Sequence, residues 1–194
     1  MSTLGEKKTD RRVLRTKRNI RNAFLRLLAQ KEMDKITIKE IAAEADVDRK
    51  TVYNYYTSVQ GILEELENEL VQNFEEALSK MNFGSMEKGM MAFHTLTELI
   101  EENLEVYGLL IKLDGHSRLM SKIKIYLKEK AREVIQDMHL NPEKVEIVVE
   151  FVTSGMFMAY RYWFNSDRQK SLNDFTKDIM RLVMNGVVKY FQEE

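Results

Sequence analysis

Along almost the whole chain, apolar residues recur every three to four positions, the spacing that lines one face of an α-helix. From Arg11 onward, Ile20, Ala23, Phe24, Leu27 and Leu28 fall on a single face. Thr37 followed three residues later by Glu40 is a capping-box pattern, in which each side chain satisfies the other residue's backbone N–H. It opens a short helix with Ile38, Ile41 and Ala42 inward. Ala45-Asp46-Val47 interrupts that helix, because Asp tolerates the turn conformation that Gly usually takes. Asp48 can cap a second short helix, Arg49 to Tyr56, with Val52 and Tyr56 buried. Two short helices joined by a turn of this length form a helix-turn-helix.

Longer helices follow. Ile62, Leu66, Leu70, Phe74 and Leu78 repeat at i+4 through a helix expected over residues 60–82, ended by Gly84-Ser85. The next, from Met86 to about Asn103, carries Met90, Phe93, His94, Thr97 and Ile100 on one face, and a short helix around residues 104–113 stops at Asp114-Gly115. Met120, Ile123, Leu127, Ala131, Val134 and Met138 mark a long amphipathic helix. Asn141-Pro142 starts another, with Pro at the first helical position where its missing N–H costs nothing. Ser171 with Asp174 opens the last, which runs through Phe175, Ile179, Leu182, Gly186 and Tyr190. The pattern predicts nine helices and no internal repeat.

Composition settles the class. One proline and eight glycines in 194 residues are too few turn-formers for an all-β or an alternating α/β chain, so the expected fold is all-α. The absence of cysteine excludes a disulfide scaffold, a thiol nucleophile, a thiolate zinc site and an iron–sulfur cluster. No run of about 18 apolar residues offers a membrane span. The basic N-terminus has no apolar stretch behind it, so a secretory signal is not expected and a cytoplasmic location is. Charge changes the picture more. Residues 1–60 hold 14 basic and 8 acidic side chains, and residues 61–194 hold 16 and 23. A small cationic module facing a polyanion, joined to a larger acidic body, is the organisation this asymmetry implies. Residues 1–10 are expected as a flexible polar tail, 11–58 as the helix-turn-helix domain and 59–194 as the helical body.

The segment Ile38-Lys-Glu-Ile41-Ala-Ala-Glu-Ala45-Asp-Val47-Asp-Arg-Lys-Thr51-Val-Tyr53-Asn-Tyr55-Tyr56-Thr-Ser58 resembles the DNA-binding signature of TetR-family transcriptional regulators. The likeness lies in the Ile-Ala pair, the Ala-Asp-Val turn, Thr-Val-Tyr and the closing aromatic, and it is strong over roughly residues 12–66. Two positions depart from the family: Asp46 replaces the usual Gly, and Val59-Gln60 stands where a backbone-contacting lysine often follows the serine. The resemblance implies a homodimeric, effector-released regulator, most simply a repressor of a palindromic operator. An alternative on the same fold is a DNA-bound adaptor controlled by a protein partner.

The residues themselves agree with DNA reading. Arg49, Lys50 and Asn54 carry the donors and amide that suit guanine and adenine edges in the major groove. Thr37, Thr51, Tyr53 and Tyr55 offer hydroxyls that position phosphates, and Arg15, Lys17 and Arg18 supply cations from the first helix. In the body, ten of the twelve methionines lie from Met81 onward, and flexible thioethers suit adaptable cavities. The pocket that the resemblance implies has Phe93, His94, Tyr107, Leu110, Met120, Tyr126 and Met156 as candidates for an apolar or amphipathic effector. The dimer surface expected on the last two helices draws on Tyr160, Trp163, Met184 and Val187. His94, His116 and His139 share no ligand spacing, so neither a metal nor another cofactor is expected. No nucleophile–base constellation or phosphate loop is present, so the chain is not read as an enzyme.

Overall fold

The computed structural model describes residues 3–79, 86–113, 118–136 and 141–192, the side chains of residues 3–10, 86–93, 130, 131, 133–136, 187, 188, 191 and 192 excepted. Among them are nine α-helices, one short 3-10 turn and no strand. The helices are α1 (Thr3–Leu28), α2 (Ile38–Glu44), α3 (Arg49–Tyr53), α4 (Val59–Ser79), α5 (Met86–Glu102), α6 (Leu104–Lys112), α7 (Leu119–Gln136), α8 (Pro142–Asn165) and α9 (Leu172–Gln192). The chain divides into two units, Met1–Asn68 and Glu69–Glu194, and the division falls inside α4.

In the first unit α1 packs on α2 and α2 on α3. The core is made by Ile20, Phe24, Ile41, Val52, Ile62 and Leu63, all fully buried. Each such side chain contributes roughly 1.5–3 kcal/mol relative to exposure. The capping box forms as the sequence predicts. Thr37 Oγ1 accepts from Glu40 N at 3.3 Å, and Thr37 N donates to Glu40 Oε2 at 3.0 Å. The other end of α2 closes with Asp46 at φ 54°, Asp46 N donating to Ala43 O and Val47 N to Ala42 O. This paired closure is the Schellman arrangement, so Asp46 fills the left-handed position without glycine.

Three expected boundaries differ. Helix α1 is already formed at Thr3, taking in most of the segment read as a polar tail, because Leu4, Glu6, Lys7 and Lys8 are good helix formers. Helix α3 stops at Tyr53, and Tyr55 N turns back to Val52 O in a tighter last turn. Asp48 stands at the start of α3 but caps it only with its backbone carbonyl, which accepts from Thr51 N and Val52 N.

In the second unit α8 is central: α6, α7 and α9 all pack against it, and α5 packs on α9. Its start is capped by Asn141, whose side chain accepts from Glu143 N at 2.9 Å, with Pro142 at the first position. The start of α9 is closed by Ser171 Oγ, which accepts from Asp174 N at 3.1 Å. A small hydroxyl network ties three helices: Thr97 of α5 donates to Thr176 of α9 at 3.3 Å, and Tyr160 of α8 shares a 2.9 Å bond with Thr176. Both threonines are buried, and burial pushes the Tyr160 hydroxyl above its usual pKa. Buried hydroxyls bonded to one another across helices help to fix the register of the helices that carry them.

Candidate nucleic-acid interface

A helix that reads DNA needs one face locked to its own domain and the other covered with free donors. Helix α3 has this division. Val52 is fully buried and Tyr56 is 4% exposed, whereas Arg49, Lys50, Tyr53 and Asn54 are exposed. Thr51 and Tyr55 are half-buried at the edges, and Thr37 is exposed at the start of α2, its hydroxyl donating to Glu40 Oε2. That carboxylate also accepts from Lys31, and these bonds, with those from Thr37, pull the Glu40 carboxyl down to about 2.

The basic side chains of the first unit fall into two sets. One set is paired: Arg26 with Glu44, Lys31 with Glu40, Lys35 with Glu32, and both Lys17 and Arg21 with Glu65. Among the described residues, the side chains of Arg11, Arg12, Arg15, Arg18, Lys39, Arg49 and Lys50 pair with no acidic group and donate to no other polar partner. Those seven are all exposed, and they come from α1, α2 and α3. Folding leaves their charge available to an outside anion.

Lys17 is therefore placed differently from Arg15 and Arg18. Its Nζ lies 2.6 Å from Glu65 Oε2 and 5.5 Å above the Tyr56 ring. Glu65 Oε1 also accepts from Tyr56 Oη at 3.0 Å and from Arg21 at 3.4 Å. One carboxylate on α4 thus joins α1 to the aromatic that closes the segment after α3. Nothing in the local sequence around Glu65 marks it for this role.

The residues expected to line a pocket fall on α5, α6, α7 and α8. Tyr107 and Leu110 are buried on α6, Met156 is buried on α8, and Met120 and Tyr126 are half-buried on α7. His94 is exposed beside Glu98, which sets it apart from any enclosed cavity, and the Phe93 side chain lies outside the described residues. Tyr107 packs edge-on against Phe74, and its buried hydroxyl has no hydrogen-bond partner among the described residues. Burial holds that hydroxyl protonated by raising its pKa.

The residues expected at a dimer surface also separate. Trp163 is 4% exposed, stacked edge-on with Phe164, and donates from Nε1 to Lys170 O at 2.9 Å, so it belongs to its own chain's core. Tyr160 faces Thr176, Met184 is half-buried, and the Val187 side chain lies outside the described residues. The exposed apolar side chains are others: Ile147, Phe151, Met158 and Tyr162 on α8, and Leu182 and Tyr190 on α9. Their spacing is helical, and Gly155 and Gly186 lie in the same stripes with open space beyond their Cα atoms. Helix α8 thus carries two apolar stripes, one inward and one exposed.

Comparison with known proteins places this geometry. Residues 20–66 match the tetR family of bacterial regulatory proteins, and residues 90–185 match a transcriptional regulator C-terminal region. YxbF of Bacillus subtilis, an uncharacterised helix-turn-helix-type transcriptional regulator, is 23% identical over 168 residues. That match takes in 84% of this chain but 43% of YxbF, so the chain spans less than half the length of that relative. A TetR-family transcriptional regulator of Syntrophomonas wolfei superposes with a TM-score of 0.76 at 14% identity, over 89% of this chain and 95% of that one. FadR of Bacillus subtilis, solved in complex with stearoyl-CoA, superposes at 0.64 with 18% identity, over 87% and 97%. With the reading helix, its capped partner and the helical body all accounted for, the chain belongs to the TetR family of helix-turn-helix transcriptional regulators.

Proposed function

We propose that the protein binds a palindromic DNA operator as a homodimer, represses transcription there, and is released by a small apolar or amphipathic molecule. The observation that carries the DNA half is the set of unpaired cations on α1, α2 and α3 beside a reading helix whose inner face is locked by Val52 and Tyr56. Arg49, Lys50 and Asn54 would meet base edges, and Tyr53, Tyr55, Thr37, Thr51, Arg15 and Arg18 the backbone. The unpaired arm on α1 compensates for the missing lysine at Val59. Pairing of the exposed stripes on α8 and α9 with those of a second copy would bury Phe151, Tyr162 and Leu182 and let the backbones approach at Gly155 and Gly186. Two reading helices would then address half-sites one turn of DNA, about 34–36 Å, or a multiple apart.

Release by an effector needs a conformation that the effector prefers, with coupling typically of about 1–3 kcal/mol. Helix α4 belongs to both units, which makes it the natural carrier of that coupling. The unpartnered Tyr107 hydroxyl supports a ligand bearing at least one hydrogen-bond acceptor, and stearoyl-CoA in the FadR structure supports an amphipathic class.

The test is a salt titration of DNA binding by fluorescence anisotropy. Each phosphate contact removed by Arg11, Arg12, Arg15 or Arg18→Ala should lower the slope of log K against log salt by about 0.9. Unchanged slope and affinity in the quadruple variant would remove the arm from the account.

A further inference from the structure

The turn between α8 and α9 holds an arginine in an unusual state. Arg168 has φ 54°, a left-handed conformation that a long side chain rarely adopts and that Gly or Asn would take with less strain. The conformation is held on purpose-built supports: Ser166 Oγ donates to Trp163 O at 2.8 Å and accepts from Arg168 N at 3.2 Å. The guanidinium carbon then lies 5.3 Å from the ring centroids of both Trp163 and Phe164. On a further side is Gly108 of α6, where a Cβ would stand 2.9 Å from Arg168 Nη2, so the guanidinium lies close against that helix.

The contacts with the rings use the π-systems and not its N–H donors. Among the described residues, no carboxylate or carbonyl accepts from its five N–H donors. The acidic groups of the same turn are otherwise engaged. Asp167 accepts from Gln169 at 2.6 Å, Asp174 from Ser171 at 2.8 Å and Lys177 at 3.2 Å, and Asp178 pairs with Lys170. Arg168 is half-buried, so the side chain keeps part of its surface in contact with solvent. A guanidinium stacked on aromatics is partly desolvated and pre-oriented, which strengthens its bidentate attraction for an anion.

We infer that Arg168, stacked on Trp163 and Phe164 and seated over Gly108, is the anchor of an anion site for the carboxylate or phosphate group of a small molecule. The site lies in the second unit and goes beyond the function proposed above. Free anion and amphiphile headgroup share this chemistry, and the probes below separate them.

The experiment measures thermal midpoints and binding isotherms of the full chain in chloride buffer with inorganic phosphate, octanoate, octyl phosphate and octanol. Arg168→Gly is the main variant, since glycine suits φ 54° and removes the guanidinium without new strain. Arg168→Lys keeps the charge without the fork. The expected result is that octanoate or octyl phosphate raises the wild-type midpoint more than octanol does. Arg168→Gly should lose at least tenfold in affinity for them, and Arg168→Lys should retain an intermediate affinity. A response to inorganic phosphate equal to that of octyl phosphate assigns the site to free anions, and a response only to the chain-bearing probes assigns it to headgroups. Equal shifts in wild type and Arg168→Gly, or no anion-dependent shift up to millimolar concentrations, would overturn the inference. DNA binding is measured on the same samples, so loss of the anion response with DNA binding intact separates failure here from failure of the proposed function.

Discussion

Replacing Glu65 by Gln should make the protein less stable and yet tighter on DNA. Glu65 holds Lys17 at 2.6 Å and Arg21 at 3.4 Å, and accepts from Tyr56 Oη at 3.0 Å. Gln keeps an acceptor for Tyr56 but removes the charge that holds the two cations. The pairs are about a third exposed at the side chains, 29% for Lys17 and 31% for Glu65, so solvent screening limits their worth. A loss of about 0.5–1 kcal/mol follows for the first unit, read as a lower urea midpoint with unchanged slope. The freed Lys17 sits on the same helix as Arg15 and Arg18, whose cations are unpaired. If it gains one phosphate, the salt slope of DNA binding steepens by about 0.9, and affinity near 0.1 M salt rises several-fold. Anisotropy titrations at four salt concentrations on any DNA of adequate length would detect both changes. Weaker DNA binding, or an unchanged slope alongside the expected loss of stability, would refute the idea that Glu65 competes with phosphate for Lys17.

Three further outcomes follow from burial and charge. Leu182→Asp or Phe151→Asp should leave folded monomers by light scattering at micromolar concentration, since both side chains are more than 70% exposed in one chain. Trp163→Ala should instead lower stability by about 3–5 kcal/mol, as expected for an emptied core position, and a folded Trp163→Ala monomer of wild-type stability would contradict its placement. The Glu40 carboxyl, held down to about 2 in the folded chain against about 4.3 for an ordinary Glu, stabilises the fold fully above that ordinary value and loses its contribution as pH falls toward 2. Urea midpoints at pH 6 and pH 3 should therefore converge more for Glu40→Gln than for wild type, and equal falls in the two proteins would remove Glu40 from the acid response.

The reading head was legible because its signals are local. Thr37 and Glu40 cap each other across three residues, and Asp46 takes the left-handed turn two residues after Glu44 closes α2. What escaped was tertiary. Lys17 and Glu65 are 48 positions apart, and nothing in either residue's neighbourhood separates a phosphate contact from an internal ion pair. Trp163 follows the helical period equally well as core or as interface. Its partners Phe164, Phe175 and the Lys170 carbonyl decide the matter, and the fold brings them there. On α8 the inward stripe through Val145, Val149, Met156 and Trp163 is accompanied by an outward one through Ile147, Phe151, Met158 and Tyr162. A count of apolar residues sees both stripes, but only packing tells them apart. Arg168 gave no pattern at all, since a left-handed arginine is recognisable only from its backbone.

The central claim is that α3 reads DNA sequence through Arg49, Lys50 and Asn54 while Tyr53 positions the backbone. The direct measurement is a binding selection on randomised duplex DNA at one salt concentration, with wild type, Arg49→Ala, Lys50→Ala, Asn54→Ala and Tyr53→Phe. Wild type should enrich a palindrome whose half-sites lie one helical turn or a multiple apart. Each base-reading variant should lose about 1–3 kcal/mol on that site and relax preference at one base position. Tyr53→Phe should weaken all sequences by a similar factor and leave the preferred sequence unchanged. A palindrome indifferent to Arg49, Lys50 and Asn54 but shifted by Tyr53→Phe, or no enrichment by wild type, would contradict the account.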